Sequence, residues 1–280
     1  MTIPVSNVGR KLKSSLDSRV RRLSNREKKQ FSRNGYIKNL PVFAPDGVAR
    51  LQKMFDDWSG RVPEDIDINR VNMWHKASRT FSELCHTPAI LDYVEDVIGP
   101  NFYQWGGQFF VKYPNDGSEV PWHQDSQYWP LSPERTVTAW LAIYDTDATN
   151  AAMQVIRGSH KKGVYTHHIN DAPNLVLPKE VDANEIDQEN IATLDMKAGE
   201  ISLHDSRLIH GSGPNASDRR RCGITMRYCP TEVKCDLSVW PTFETYLARG
   251  VDKHRHNPMG PITKHEKCPT KSMMHSSEFN

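Results

Sequence analysis

The apolar positions of this chain change period near residue 100. Upstream they recur at helical spacing: Val48, Leu51, Met54, Phe55 and Trp58 form one stripe, and Ile90, Leu91, Val94 and Ile98 form another. The stripes predict helices over residues 46–58 and 87–98, the second closed by Gly99-Pro100. A further helix is predicted to follow Ser24 and run to about residue 32, because Ser24 and Glu27 have the spacing of a capping box. Asn34-Gly35 ends it, and residues 36–42 read as an entering strand. Downstream, short β-like runs at residues 102–112, 137–144, 153–156, 201–204 and 222–229 are separated by Gly, Pro, Asn and Asp. Helices first and many short strands afterwards predict a mainly β fold with flanking helices, a sandwich or barrel. Residues 165–194 read as a long polar insertion of the kind that covers a site. From residue 252 onward His, Lys, Pro and Ser predominate, which predicts a meandering arm that is packed on the surface or partly disordered.

A chain of 280 residues with 37% apolar content, seven Trp, nine Tyr and nine Phe can bury one large core. A single domain over residues 1–280 is therefore expected, with helices over about residues 10–100, a β core over about 101–230 and an arm over 231–280. The net charge of +2 argues against nucleic acid or an anionic membrane as main partner and leaves a small molecule. Basic residues do cluster between Arg10 and Lys29, which reads as a solvated helical face. No stretch has the length of a membrane-spanning helix, and residues 1–13 lack the apolar core of a signal peptide. The C-terminus carries no peroxisomal address. The five cysteines (Cys85, Cys222, Cys229, Cys235, Cys268) are odd in number and dispersed, as suits reduced thiols and a cytoplasmic location. Without a CxxC pair, no structural zinc site is expected. No oligomeric state follows from the pattern.

The chemistry concentrates in two places. Pro121-Trp122-His123-Gln124-Asp125 contains a His-x-Asp pair, and residues two apart on a strand share one side, so His123 and Asp125 can reach one metal while Gln124 faces away. Far downstream, Leu208-Ile209-His210-Gly211-Ser212-Gly213 supplies another histidine. Two imidazoles and one carboxylate form the ligand set of an iron(II) site that leaves one face open. Among twelve histidines, His204 and His160 are alternatives for the third ligand. His210 is preferred because Gly211 and Gly213 allow close backbone approach to a cofactor, and because of Arg221. In the run from Arg221 to Tyr228, alternation places Arg221, Gly223, Thr225 and Arg227 on one face and Cys222, Ile224, Met226 and Tyr228 on the other. The first face suits the inside of a ligand-holding barrel, where a planar guanidinium can grip a carboxylate. Arg219 and Arg220 read as solvated neighbours.

Together with Lys112-Tyr113-Pro114, Tyr128-Trp129-Pro130 and Gly158-Ser159-His160, these motifs resemble the phytanoyl-CoA dioxygenase family of iron(II)- and 2-oxoglutarate-dependent oxygenases, over roughly residues 24–230. The resemblance implies a double-stranded β-helix (a cupin-like jelly roll) in which His123, Asp125 and His210 hold iron(II). It implies that Arg221, with Ser212 beside it, binds 2-oxoglutarate, and that Gln108 and Trp140 line the cosubstrate. By their residue types alone, Gln108 also reads as a polar strand position facing solvent and Trp140 as a core aromatic. The implied reaction consumes oxygen and 2-oxoglutarate, releases succinate and CO2 and hydroxylates a substrate, with ascorbate as a possible stimulant. Two departures, Asn150-Ala151-Ala152 where the family often has Asn-Gly-Cys and Arg157 where it often has Pro, touch no ligand. Asp125 occupies the slot that halogenating relatives leave to a small residue, which argues against halogenation.

Tyr128 and Trp129 follow the metal pair and are expected to wall the substrate pocket, where aromatic faces suit an ammonium group. Arg227 is expected to pair with an anionic group of the substrate, although a salt bridge at the barrel rim is an equal reading. Trp74, His75 and Lys76 are further residues within possible reach. The resemblance extends to 2-aminoethylphosphonate dioxygenases, so an aminoalkylphosphonate is the leading substrate, with an amino acid or natural-product intermediate as the alternative. Two readings of other classes stay open: a sensor that binds metal or 2-oxoglutarate without turnover, and a zinc hydrolase using the same ligands.

Overall fold

The computed structural model describes residues 15–274. Five helices come first: α1 (Asn25–Asn34), α2 (Pro45–Ser59), α3 (Trp74–Ala77), α4 (Arg79–Cys85) and α5 (Pro88–Ile98). Between the first two lies β1 (Tyr36–Pro41), and then follow β2 (Phe102–Lys112), β3 (Val120–His123), β4 (Leu131–Ser132), β5 (Val137–Ala142), β6 (Gln154–Ile156) and β7 (His167–Ile169). The chain continues through β8 (Lys179–Val181), β9 (Ile191–Thr193), β10 (Glu200–Asp205), β11 (His210–Ser212), β12 (Arg221–Pro230), β13 (Lys234–Cys235) and β14 (Tyr246–Arg249). Helix α1 starts where the capping box places it: the Glu27 amide donates to Ser24 Oγ and the Ser24 amide to Glu27 Oε2, satisfying donors that no helical carbonyl reaches.

Two antiparallel sheets form the frame of a jelly roll. The larger has the order β1-β10-β5-β12-β2-β14, and the smaller β3-β11-β6-β9. Non-consecutive neighbours in both reflect a chain that alternates between sheets, as a double-stranded β-helix requires. The outer face of the large sheet carries Phe109, Leu141, Leu203, Ile224 and Met226, buried against Leu51, Phe55, Trp58, Phe81 and Val94 from the helices. Phe109 is the hub of this layer, with the rings of Phe55, Trp58, Trp74 and Phe81 at 5.2–5.6 Å. Such aromatic contacts bury large areas with specific geometry, so the helices brace the sheet in one orientation. Its opposite face carries His204, Arg221, Thr225 and Arg227 together with Phe110 and Trp140.

One expectation needs correction and two gain detail. Residues 165–194 are not a bare insertion: they contain the hairpin β7–β8 and the strand β9, which completes the small sheet beside β6. The arm after residue 252 is packed: Glu266 accepts from the Thr80 amide and Ser78 Oγ, both at 2.7 Å, and the Lys267 amide donates to Ala77 O. Arg219 and Arg220 are solvated as expected and also make surface contacts: Arg219 bonds both oxygens of Asp147, and Arg220 lies 5.5 Å from the Tyr144 ring centre. Of the basic cluster, Arg10, Lys11 and Lys13 fall outside the described residues. Within them Arg19 pairs with Asp17, Arg21 with Glu27, and Arg22 and Lys28 with Asp96. Among the described residues no helix is long and apolar enough to cross a membrane. All five cysteines are free thiols.

Candidate metal centre

Strands β3 and β11 pair antiparallel with His123 directly opposite His210, so both imidazoles enter the barrel from one side. Their rings lie 4.2 Å apart. Strand β3 ends at His123, and Asp125 opens a 3-10 turn, Asp125–Tyr128, which swings its carboxylate towards the rings rather than along an extended strand as predicted. His123 Nε2 is 3.7 Å and His210 Nε2 4.0 Å from Asp125 Oδ1. One ligand atom from each of the three residues lies within 4.8 Å of the others, a separation that a single ion can bridge.

The tautomers follow from the backbone. His123 Nδ1 is 2.8 Å from Pro121 O, and His210 Nδ1 is 2.9 Å from Leu208 O. A carbonyl can only accept, so each Nδ1 carries the proton and each Nε2 turns a lone pair to the shared centre. Burial, then the neighbouring His123 and His204, hold the His210 imidazole well below its ordinary pKa, so it stays neutral. Burial opposes ionisation of Asp125, but the contacts from His123 and His204 outweigh it and keep the carboxyl well below the usual range. A neutral His210 imidazole and an ionised Asp125 carboxylate are thus preset.

Gln124 does face away from the centre, though not to solvent. It is buried, with Nε2 donating to Gly163 O and Arg207 O and Oε1 accepting from the Tyr165 amide. Gly211 borders the cavity around the trio, whereas Gly213 does not. A Cβ on Gly211 would sit 2.9 Å from Val120 O in the adjacent β3 backbone, whereas one on Gly213 would meet open space. His160 is remote and bonds Ser32 O through Nε2. His204 is close: its ring is 4.6 Å from that of His210, and its Nε2 is 3.5 Å from Asp125 Oδ2.

The cavity around the trio, about 30 Å³, is lined by Phe110, Trp140, Met153, His204, Ser212, Thr225 and two arginines, Arg221 and Arg227. Arg221 is 2% exposed, its Nε and Nη1 have no hydrogen-bond partner, and Ser212 Oγ is likewise unpartnered. Burial pushes Arg221 down to about 10, so it remains a cation at neutral pH. Its guanidinium lies 5.2 Å from the centre of the Trp140 ring, which Gly223 makes possible: a Cβ there would be 1.9 Å from Trp140 Cζ2. Buried Lys112 donates to Ser118 O, Ser212 O and Gly213 O, fixing the turn after His210 to β2.

Arg227 is 3% exposed, with Nε and Nη1 unpartnered and Nη2 donating to Gln108 Oε1 at 3.2 Å. Gln108 therefore faces Arg227 and, through Nε2, Asn69 O, rather than the Arg221 end where the cosubstrate was expected, and it does not face solvent. Trp129 does not border the cavity: the Arg227 guanidinium covers its ring at 5.1 Å, and Trp105 packs against it at 4.7 Å. Tyr128 is also set back, its ring under Lys179 Nζ at 5.2 Å and its hydroxyl bonded to the Lys179 backbone. Trp74 belongs to the outer core, Lys76 pairs with Glu244, and His75 is fully buried against Tyr246. Trp105 reaches this layer through a break in the β2–β12 register between Arg227 and Tyr228, which turns it to the inner face.

Comparison with known proteins agrees with this geometry. Residues 31–223, well over half of the chain, match the family model described as phytanoyl-CoA dioxygenase (PhyH). Peroxisomal phytanoyl-CoA dioxygenase of Mus musculus is 26% identical over 212 residues, covering 74% of this chain and 62% of that protein. A probable alpha-ketoglutarate-dependent hypophosphite dioxygenase of Stutzerimonas stutzeri is 27% identical over 176 residues, covering 62% of this chain and 59% of the relative. The chain thus spans about three fifths of the length of these curated relatives. The solved structure of CytC3 with Fe(II) and alpha-ketoglutarate shares the fold, with a TM-score of 0.65, 22% identity and coverage of 85% of this chain and 93% of that one. Motifs, barrel, converging donors and family match lead to one conclusion: the chain belongs to the phytanoyl-CoA dioxygenase (PhyH) family.

Proposed function

We propose that the protein is an iron(II)- and 2-oxoglutarate-dependent dioxygenase that hydroxylates a small anionic metabolite, within one catalytic unit. The observation that carries the reading is the meeting of His123, Asp125 and His210 beside the buried Arg221 guanidinium, which no acid among the described residues neutralises. The donor set fits iron(II): two imidazole nitrogens and one carboxylate oxygen, leaving open positions for a bidentate oxo acid and oxygen. Bound there, iron would supply oxygen activation coupled to decarboxylation of 2-oxoglutarate, placing one oxygen atom in succinate and the other on the substrate.

The chain's own residues do the positioning. Arg221 and Ser212 offer unpartnered donors to the far carboxylate of 2-oxoglutarate, and the Trp140 ring shields that contact from water. Arg227 offers two more donors from the opposite end of the inner face of β12, where an acidic group of the substrate can pair with it. A phosphonate suits that fork, and the hypophosphite-oxidising relative supports an anionic substrate. An aminoalkylphosphonate such as 2-aminoethylphosphonate therefore heads the candidates, ahead of an amino acid. Its ammonium group is the weaker determinant, since Arg227 and Lys179 already occupy the Trp129 and Tyr128 faces.

The test is substrate-stimulated succinate release with iron(II) and ascorbate across phosphonates, amino acids and neutral amines. Stimulation by acids but not by neutral amines supports the proposal. Metal and 2-oxoglutarate binding without succinate from any compound would favour a sensor, and zinc-dependent turnover without 2-oxoglutarate a hydrolase.

A further inference from the structure

We infer that His204 and Thr138 hold the outer oxygen of Asp125, so that the carboxylate presents a single oxygen to the metal. The inference rests on the metal centre proposed above and concerns two residues outside the His123–Asp125–His210 trio. Strands β10 and β5 pair antiparallel with His204 directly opposite Thr138, so both side chains project from the same face of the large sheet into the barrel. They converge on one atom. Thr138 Oγ1 donates to Asp125 Oδ2 at 3.1 Å, and His204 Nε2 lies 3.5 Å from that same oxygen. The other oxygen, Oδ1, faces the Nε2 atoms of His123 and His210. One carboxylate is thus divided between two functions.

His204 is 1% exposed, and neither of its ring nitrogens has a hydrogen-bond partner, Nε2 standing 3.5 Å from Asp125 Oδ2 at the outer limit of one. A buried imidazole left without partners is costly, so its placement beside Oδ2 calls for a reason. Its Nε2 approaches the oxygen turned away from His123 and His210, which sets it outside the ligand trio. The consequence concerns coordination number. A carboxylate bound through both oxygens would take a position needed by 2-oxoglutarate or oxygen, whereas one held at Oδ2 leaves three positions open. His204 and Thr138 are therefore positioning residues, acting through Asp125.

The test compares wild type with His204→Phe, His204→Gln, Thr138→Val and Asp125→Ala in anaerobic titrations. Three quantities are read: iron(II) affinity, the Co(II) absorption spectrum, which reports coordination number, and the charge-transfer band formed on adding 2-oxoglutarate. His204→Phe is expected to weaken metal binding about 10- to 100-fold, the usual effect of removing a partner of a metal ligand, and to diminish the charge-transfer band. His204→Gln, which restores a donor, should recover most of both, and Thr138→Val should shift both in the same direction as His204→Phe. Wild-type affinity and band in His204→Phe would overturn the inference. So would a His204→Gln protein no better than His204→Phe, which would mean that the ring only fills space. If His204→Phe does not fold, Thr138→Val decides: unchanged affinity and band refute the role. Asp125→Ala separates the two levels. Full metal affinity in that variant sinks the metal centre itself, whereas its loss alongside an unaffected His204→Phe sinks only this inference.

Discussion

Replacing Arg221 by methionine should move cosubstrate binding and protein stability in opposite directions. Methionine keeps most of the volume and the packing on Trp140 but removes the charge. For binding, a buried carboxylate without its charged partner loses about 2–5 kcal/mol. At about 1.4 kcal/mol per tenfold, the Kd for 2-oxoglutarate rises about 30-fold to a few thousandfold. For the free protein the sign reverses. Burial takes Arg221 from 12.5 to about 10, a cost of about 3 kcal/mol for the charged form in the folded state. A base with a depressed folded pKa bears that cost at all pH values below the depressed value, hence throughout the neutral range. Losing the cation–π attraction to Trp140 takes back about 1–2 kcal/mol of that. The net gain of about 1–2 kcal/mol raises the Tm by a few degrees. Thermal unfolding with and without 2-oxoglutarate, with Mn(II) as an inert metal, reads both effects. A variant that binds 2-oxoglutarate like wild type refutes the anchoring role, and one destabilised in the absence of ligand refutes the uncompensated charge.

Arg227→Gln should raise the KM for an acidic substrate at least about 30-fold while the Kd for 2-oxoglutarate stays as in wild type; steady-state kinetics and 2-oxoglutarate titration separate the two. Gly223→Ala places a methyl group inside the Trp140 ring and should cost about 1–3 kcal/mol or more, visible in urea unfolding together with a changed tryptophan emission. His75, fully buried and held by burial well below its ordinary pKa, stays neutral in the folded state while the unfolded chain takes up a proton below about pH 6.5. Stability should therefore fall on acidification, with His75 contributing up to about 1.4 kcal/mol per pH unit, and His75→Phe should flatten the slope between about pH 7 and pH 5.

Much of the frame was legible because it depends on local periodicity. The stripes ending at Trp58 and Ile98 became α2 and α5, and residues 102–112 became β2 without a change of boundary. Alternation along β12 likewise separates the side chains that pack on the helices from those lining the cavity, because successive strand residues must point to opposite faces. The short elements were not legible. Helices α3 and α4, the hairpin β7–β8 and the strand β9 are too brief to show a period, and tertiary contacts hold them, as Glu266 holds the start of α4.

The amino-acid sequence by itself determined the longer sheet-forming segments and the residue types able to bind a metal and a carboxylate, since these depend on spacing and side-chain chemistry alone. Only the tertiary structure decided which groups meet. Strand register set His123 against His210 and His204 against Thr138, across separations that no local pattern encodes. A register break turned Trp105 inward, and Arg227 and Lys179 took the aromatic faces expected to receive substrate. Which strand lies beside which, and in what register, emerges when the whole barrel closes around a common interior, so the neighbours of each side chain are a property of the closed fold.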